Sequence, residues 1–188
     1  MLSSILLAAG ESKRMGRLKQ LMPWGQSTMV EKTIDNLLDS AVSEVIVVLG
    51  HEAEEVIKVI VDRPVKLAIN PDYKQGMSTS IIAGLNLVDS QAQAVLLALG
   101  DQPLIDCQTM NRLIEEFHSN DKGIAIPTYR GRRGHPVIFA MKYKERLLEL
   151  KGDVGGKQLI KNNAEDVLEV AVDCAGICID FDTIYSTP

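Results

Sequence analysis

The stretch Ala9–Lys19 concentrates the residues best suited to chemistry. Gly10, Ser12 and Gly16 are interleaved there with four cations, Lys13, Arg14, Arg17 and Lys19. Glycines let backbone amides approach a ligand closely, and a nest of such amides binds phosphate. Arginine and lysine then neutralise the phosphate charge. The stretch is longer than the ~2–6 residues usual for a strand-to-helix connection. Together these features predict a phosphate-binding loop. It is not a Walker A loop, because Gly16 is followed by Arg and Leu rather than Lys and Ser/Thr. It is not G-x-G-x-x-G either, so a dinucleotide-binding reading loses its main support.

A carboxylate complements these cations. The apolar run Ala94–Leu99 leads into Gly100 and Asp101. A carboxylate at the carboxyl end of a buried strand is placed to hold Mg²⁺ against a triphosphate, since Mg²⁺ takes one or two carboxylates with phosphate oxygens and water. A capping or turn aspartate is the plainer alternative. Gln75-Gly76-Met77-Ser78-Thr79-Ser80 sets three hydroxyls at a helix start, where they cap the helix or contact a ligand. The basic, glycine-rich segment RGRRGHPV carries Arg130, Arg132, Arg133 and His135, which suit an anionic acceptor or a solvated hairpin. No Ser or Cys nucleophile motif accompanies His135, so it reads as an orienting group rather than a general base. Cys174 and Cys178 lack a second Cys or His pair nearby and read as small apolar filler rather than a zinc site.

These residues need a scaffold. Ser4–Ala8, Glu44–Leu49, Val65–Ile69 and Ala94–Leu99 are short runs rich in Val, Ile and Leu, of strand length and bounded by turn residues. Runs apolar on both faces suit a parallel sheet covered by helices on both sides. Met29–Asp39, Glu52–Ile60 and Ser78–Asp89 alternate with them at helical spacing, and a helix is expected over Cys107–His118 with Asp106 as its N-cap. The order predicts an α/β fold with a single three-layer, doubly wound, mostly parallel sheet. Further on, Gly123–Pro127, Pro136–Ala140, Val167–Asp173 and Gly176–Asp180 are expected as strands. Tyr143–Leu150 and Lys157–Asn163 are expected as helices. No linker or repeat interrupts residues 1–188, so one domain is expected. Ligands of such sheets bind beyond the carboxyl ends of the strands, which singles out Ala9–Lys19, Asn70–Ser80 and Gly100–Pro103.

The chain has 188 residues, 46% hydrophobic and 24% charged, and a net charge of −5. That balance excludes a wholly disordered chain and argues against general nucleic-acid binding, which shows as a basic patch. No apolar run approaches the ~20 residues of a membrane span. The opening MLSSILLAAG lacks the basic flank of a signal peptide and reads as a first buried strand. Three cysteines are too few for a disulfide framework, so a cytoplasmic location is expected.

Leu7, Ala8, Ala9, Gly10, Ser12, Arg14, Met15, Gly16 and Lys19, with the continuation Leu-Met-Pro-Trp-Gly, resemble the first signature of the NTP-transferase superfamily. The later motifs G-M-S-T-S, G-D-Q-P, R-G-H-P-V, G-D-V-G-G-K (Gly152–Lys157) and I-D-F-D-T follow in the order of its molybdenum cofactor (molybdopterin) cytidylyltransferase family. The resemblance implies a Rossmann-like nucleotidyltransferase that moves CMP from CTP to the terminal phosphate of molybdopterin and releases pyrophosphate. It further implies that Ala8, Ala9, Gly10 and Ser12 hold the nucleotide with Gly76, Ser78, Ser80 and Gly100. Lys13 falls at a variable position of the pattern. Arg14 would grip the leaving pyrophosphate and Lys19 the α-phosphate. Asp101 and Asp182, with Asp180 beside it, would hold Mg²⁺ or Mn²⁺. Arg133, His135, Asp153 and Lys157 would face the pterin. The product would supply a molybdenum hydroxylase of the xanthine dehydrogenase type. Two departures stand out: the family's usual G-D-x-G-A-R ends here in Gly-Lys, and its D-I-D-T-P-E-D continues here as Ile-Tyr-Ser. The first motif reads L-A-A-G, as in the cytidylyl branch, rather than the L-A-G-G of the guanylyl branch. A guanylyltransferase, other small-molecule nucleotidyltransferases, a non-catalytic molybdopterin-delivery protein and a nicotinamide-dependent oxidoreductase remain the alternatives.

Overall fold

The computed structural model describes residues 1–11, 18–179 and 181. Its centre is a mixed sheet built from β1 (Leu2–Ala8), β4 (Glu44–Leu49), β5 (Lys66–Ile69), β6 (Ala94–Leu99), β7 (Ile124–Tyr129), β9 (Val137–Ala140) and β10 (Val167–Ala171), in the order β10-β7-β9-β6-β1-β4-β5. A two-residue strand, β8 (Arg132–Arg133), pairs with β7. All pairings along that order are parallel except those of β9, which runs antiparallel to both neighbours. A small antiparallel pair, β2 (Pro23–Trp24) and β3 (Ser27–Thr28), stands apart.

Alternation along the strands divides the core in two. Leu2, Leu6, Val45, Val47, Leu49 and Leu96 pack with α1 (Met29–Leu38), α2 (Ala53–Ile60) and α4 (Cys107–His118). Ile5, Ile46, Val48, Val95, Leu97 and Phe139 pack with α3 (Met77–Leu85), α5 (Lys144–Leu148) and α6 (Lys157–Asn162). Each such aliphatic side chain contributes ~1.5–3 kcal/mol when fully buried, so the uninterrupted apolar strands fix the helix–sheet–helix sandwich. Local signals agree with it. Thr28 and Glu31 form a reciprocal capping box at α1. The Asp106 carboxylate accepts from the Thr109 amide at α4.

Where the chain leaves the simple alternation, the structure differs from the expectation. The strand expected over Gly176–Asp180 does not form in its described residues, 176–179: Ala175–Cys178 is a 3-10 turn, closed by the Ile177 amide on the Cys174 carbonyl. Its backbone packs on neighbours instead of pairing in the sheet; the Ile177 carbonyl accepts from the His135 amide. Among the described residues, no helix is long and apolar enough to cross a membrane.

Candidate active site

The strand order reverses beside β1. The chain steps from β1 outward to β4 and β5, then returns to lay β6 on β1's other side. In such sheets the crevice at that switch point takes the ligand. The register sets Leu7 of β1 beside Leu99 of β6, and Ala8 beside Leu49 of β4. The loops that follow all three strands therefore emerge at one edge.

A cavity of about 430 Å³ opens there, with Ala9, Gly10, Lys19, Gly100 and Asp101 on one side and Gly76, Met77, Ser80 and Asp153 on the other. Lys19 opens a 3-10 turn, Lys19–Leu21, and is only 7% exposed. Its Nζ lies 3.2 Å from Asp101 Oδ2. The pair joins residues 82 positions apart in sequence, because adjacent strands deliver both to the same edge. A buried ammonium beside a carboxylate that also meets solvent is suited to a bound polyanion. The ammonium neutralises phosphate, and the carboxylate is a hard oxygen donor for a divalent cation. Among the described residues, no three His, Cys, Asp or Glu side chains cluster to hold a metal. Asp101 thus fits an ion that takes its remaining ligands from phosphate and water.

The backbone from Ala8 to Gly10 is held in place from two sides. The Gln20 amide donates to the carbonyls of Ala8 and Gly10 at 3.1 and 3.2 Å. The His51 amide donates to the carbonyl of Ala9. Opposite, the Q-G-M-S-T-S segment is tied together by Asn70, whose Nδ2 donates to Thr79 Oγ1 and Ser80 Oγ at 2.9 and 3.0 Å. The Gly152–Asp153 segment rests directly on it. The Ser78 amide donates to the Gly152 carbonyl, and the Met77 amide lies 3.3 Å from Asp153 Oδ1.

His135 enters from the strand that runs the other way. It precedes β9, and its Nδ1 is buried without a partner among the described residues. Burial pushes its pKa down, the Lys157 ammonium pushes the same way, and Asp101 opposes them. His135 is therefore neutral at pH 7 and lies within the electrostatic reach of both Asp101 and Lys157.

The expected residues do not all converge. Ala9, Gly10, Lys19, Gly76, Ser80, Gly100, Asp101 and Asp153 line the cavity. Ala8 is the buried strand end behind it, and Ser78 is 1% exposed and off the cavity wall. Lys157 starts α6 and is exposed, and neither it nor the buried His135 is on the cavity wall. Arg133 is diverted: its guanidinium donates twice to Glu169 Oε1 on β10, at 2.8 and 2.6 Å, outside the cavity. Ser12, Lys13, Arg14, Asp180 and Asp182 lie outside the described residues. Two wall residues, Gln20 and Tyr73, were not named individually, although Tyr73 lies within the Asn70–Ser80 segment expected at the ligand edge. The only signals for them were Gln20's place next to Lys19 and a lone aromatic just before Q-G-M-S-T-S.

Comparison with known proteins agrees with this geometry. The model of the MobA-like NTP transferase domain matches residues 4–167. The molybdenum cofactor cytidylyltransferase of Escherichia coli is 28% identical over 180 residues, covering 95% of this chain and 90% of that protein. The nicotine blue oxidoreductase of Paenarthrobacter nicotinovorans is 29% identical over 192 residues, covering 95% and 91%. A probable molybdenum cofactor guanylyltransferase of Bacillus mycoides is 27% identical over 150 residues, covering 79% and 72%. Among solved structures, a protein of Mycobacterium tuberculosis superposes with a TM-score of 0.84 at 29% identity, covering 91% of this chain and 87% of that one. A crystal structure of the same protein in complex with manganese gives 0.79 at 27%, covering 91% and 88%. With its Rossmann-like sheet and a family match over most of its length, the chain belongs to the MobA-like NTP transferases.

Proposed function

We propose that this protein transfers CMP from CTP to the terminal phosphate of molybdopterin, or of its molybdenum-loaded form. The observation that carries the reading is the buried Lys19–Asp101 pair on the cavity wall at the switch point. An oxygen of the acceptor phosphate attacks the α-phosphorus of CTP. The bond from that phosphorus to the bridging oxygen breaks, and pyrophosphate leaves with the electron pair. The acceptor phosphate is already ionised at neutral pH and needs no general base. Catalysis is then positioning and charge stabilisation.

Lys19 neutralises charge at the α-phosphate. The backbone at Ala9, Gly10, Gly76 and Gly100 and the hydroxyl of Ser80 shape the nucleotide side. Arg14, with Ser12 and Lys13, belongs to the phosphate side of the same reading. Asp101, with Asp182 as its proposed companion, would hold Mg²⁺ or Mn²⁺. Such an ion supplies Lewis-acid neutralisation of the triphosphate. Asp153 and Lys157 serve the acceptor, and the neutral His135 orients it as an uncharged hydrogen-bonding group. Arg133 reaches the acceptor only by releasing Glu169. A molybdenum hydroxylase would take the product.

Ala9, on the cavity wall where the guanylyl branch has glycine, supports CTP over GTP, and so does the name of the E. coli relative. The Bacillus relative keeps GTP as the second reading. The Paenarthrobacter relative keeps a redox reading in play. Pyrophosphate release with molybdopterin, comparing CTP, GTP and ATP in Mg²⁺, tests all three. We expect release with CTP. Release with GTP alone moves the chain to the guanylyl branch. No release with any nucleotide, together with saturable NAD(P)H binding, overturns the transferase reading.

A further inference from the structure

Gln20 does more than its sequence position suggests. It is 6% exposed and lies on the cavity wall next to Lys19. Both hydrogens of its Nε2 are engaged, by the carbonyls of Ala8 at 3.1 Å and Gly10 at 3.2 Å. That settles the orientation of the amide, since the flipped form would set its oxygen against two carbonyl oxygens. Oε1 therefore faces away from those carbonyls, and it is buried with no donor among the described residues. A buried amide oxygen without a donor is costly, and buried polar groups are almost always satisfied. Methionine, of similar shape, has no such oxygen, though it would also release the carbonyls of Ala8 and Gly10.

Resting on the nucleotidyltransferase reading, we infer that Gln20 is a positioning residue whose missing donor arrives with the nucleoside triphosphate. One end of its amide holds the carbonyls of the first loop. The other accepts an N–H or O–H, carried by the nucleotide itself or by a water on its metal. Binding then completes a set of hydrogen bonds that runs from the ligand through Gln20 to Ala8 and Gly10. The backbone at Ala8 and Gly10 is thereby held more firmly when the triphosphate is present.

The test is Gln20→Met in the full chain, measured by calorimetric titration of CTP, once in EDTA and once in Mg²⁺, beside thermal melts of the free proteins. We expect affinity to fall about tenfold or more, with the free protein's melting temperature close to wild type. The loss in turnover should fall in KM for CTP rather than KM for molybdopterin. Loss in both buffers places the donor on the nucleotide, and loss in Mg²⁺ alone places it on metal-bound water. Gln20→Glu is the second variant. It turns a carboxylate toward the two carbonyls and the incoming triphosphate, so CTP affinity should fall at least as far. Unchanged CTP affinity in both variants and both buffers, with wild type binding normally, overturns this inference alone. If wild type binds no nucleoside triphosphate, the transferase reading fails, and this inference fails with it.

Discussion

Gly76→Ala is the most direct probe of how the site is walled. Gly76 has φ +111° and ψ 176°, a region open essentially to glycine, where another residue costs ~1–3 kcal/mol. A Cβ built there would lie 2.4 Å from the Gly152 carbonyl carbon and 2.5 Å from the Asp153 nitrogen. Both are backbone atoms and cannot rotate aside. Restoring an ordinary contact of ~3.5 Å requires the 152–153 segment to retreat by about 1 Å. The Ser78–Gly152 bond of 3.2 Å and the Met77–Asp153 contact of 3.3 Å then open beyond hydrogen-bonding range. The sheet and its two cores are not involved. With backbone strain and two lost bonds, about 2–3 kcal/mol of stability goes, or roughly 5–10 °C in melting temperature for a chain of this size. Activity should suffer more, because a displacement of ~1 Å in a positioning wall costs about 100-fold. The assay is pyrophosphate release, with kcat and KM measured for both substrates beside a thermal melt. A variant that melts lower yet turns over like wild type would refute the claim that Gly152–Asp153 forms part of the site.

Other perturbations separate chemistry from scaffold. Asp101→Asn removes the carboxylate facing Lys19 and should lower kcat by roughly 100-fold or more, with the Mg²⁺ dependence of turnover flattened; full activity would remove the metal role. Ala9→Gly deletes one methyl from the wall and should shift the CTP:GTP preference in kcat/KM toward GTP by about tenfold; an unchanged ratio would show that the base is selected elsewhere. Gly84→Ala places a Cβ 2.4 Å from Ile5 Cγ2, beneath a side chain with no exposure; overpacking of ~1–3 kcal/mol should outweigh the gain in helix propensity and lower the urea midpoint. The Tyr143 hydroxyl donates to Asp166 Oδ2 at 2.6 Å. Burial and that bond push the phenol up to about 12. At Asp166, burial alone would raise the pKa, but Lys142, Tyr143 and the Gly123 amide prevail and hold it at about 2. The stability Tyr143 adds is complete below its ordinary 10.0 and fades toward 12. The part from Asp166 is complete above 3.8 and fades toward 2. The cost of Tyr143→Phe, ~1–3 kcal/mol, should therefore be constant between those limits and shrink outside them, as urea titrations across pH would show.

Much of the scaffold was legible because it rests on burial. Four strands apolar on both faces admit few arrangements other than a covered, mainly parallel sheet. The β2–β3 pair was not legible, since two-residue strands carry no alternation and turn on Gly25 at φ +62°. Nor was the 3-10 turn at Ala175–Cys178, whose residues look strand-like but lie so close to neighbouring backbone that a Cβ on Gly176 would come within 2.7 Å of Leu104. In the site, Lys19 and Asp101 could be singled out because each follows a recognisable strand. Gln20 and Tyr73 could not, because what matters about them is a tertiary neighbour. Gln20 meets the first-loop carbonyls, and Tyr73 Oη lies 3.3 Å from His51 Nδ1. Arg133 shows the reverse error: its charge was readable, but its partner Glu169, 36 positions on in sequence, was not.

The antiparallel strand explains why the acceptor side was the harder half to read. Ligand residues in a parallel sheet are sought after strands, at their carboxyl ends. β9 runs against both neighbours, so the edge that carries the ends of β1 and β6 carries the beginning of β9. The register ends with Leu97 beside Val137, and His135, just before that strand, comes within electrostatic reach of Asp101 without lining the cavity. His135 thus approaches the site because it precedes a strand. The Arg130–Gly134 stretch before it, which includes β8, stays paired to β7 in line with β9, and β10 lies along β7's other edge. That is where Arg133 finds Glu169. One reversal of strand direction brings His135 within electrostatic reach of Asp101 and leaves Arg133 paired with Glu169, although the two are neighbours in one motif.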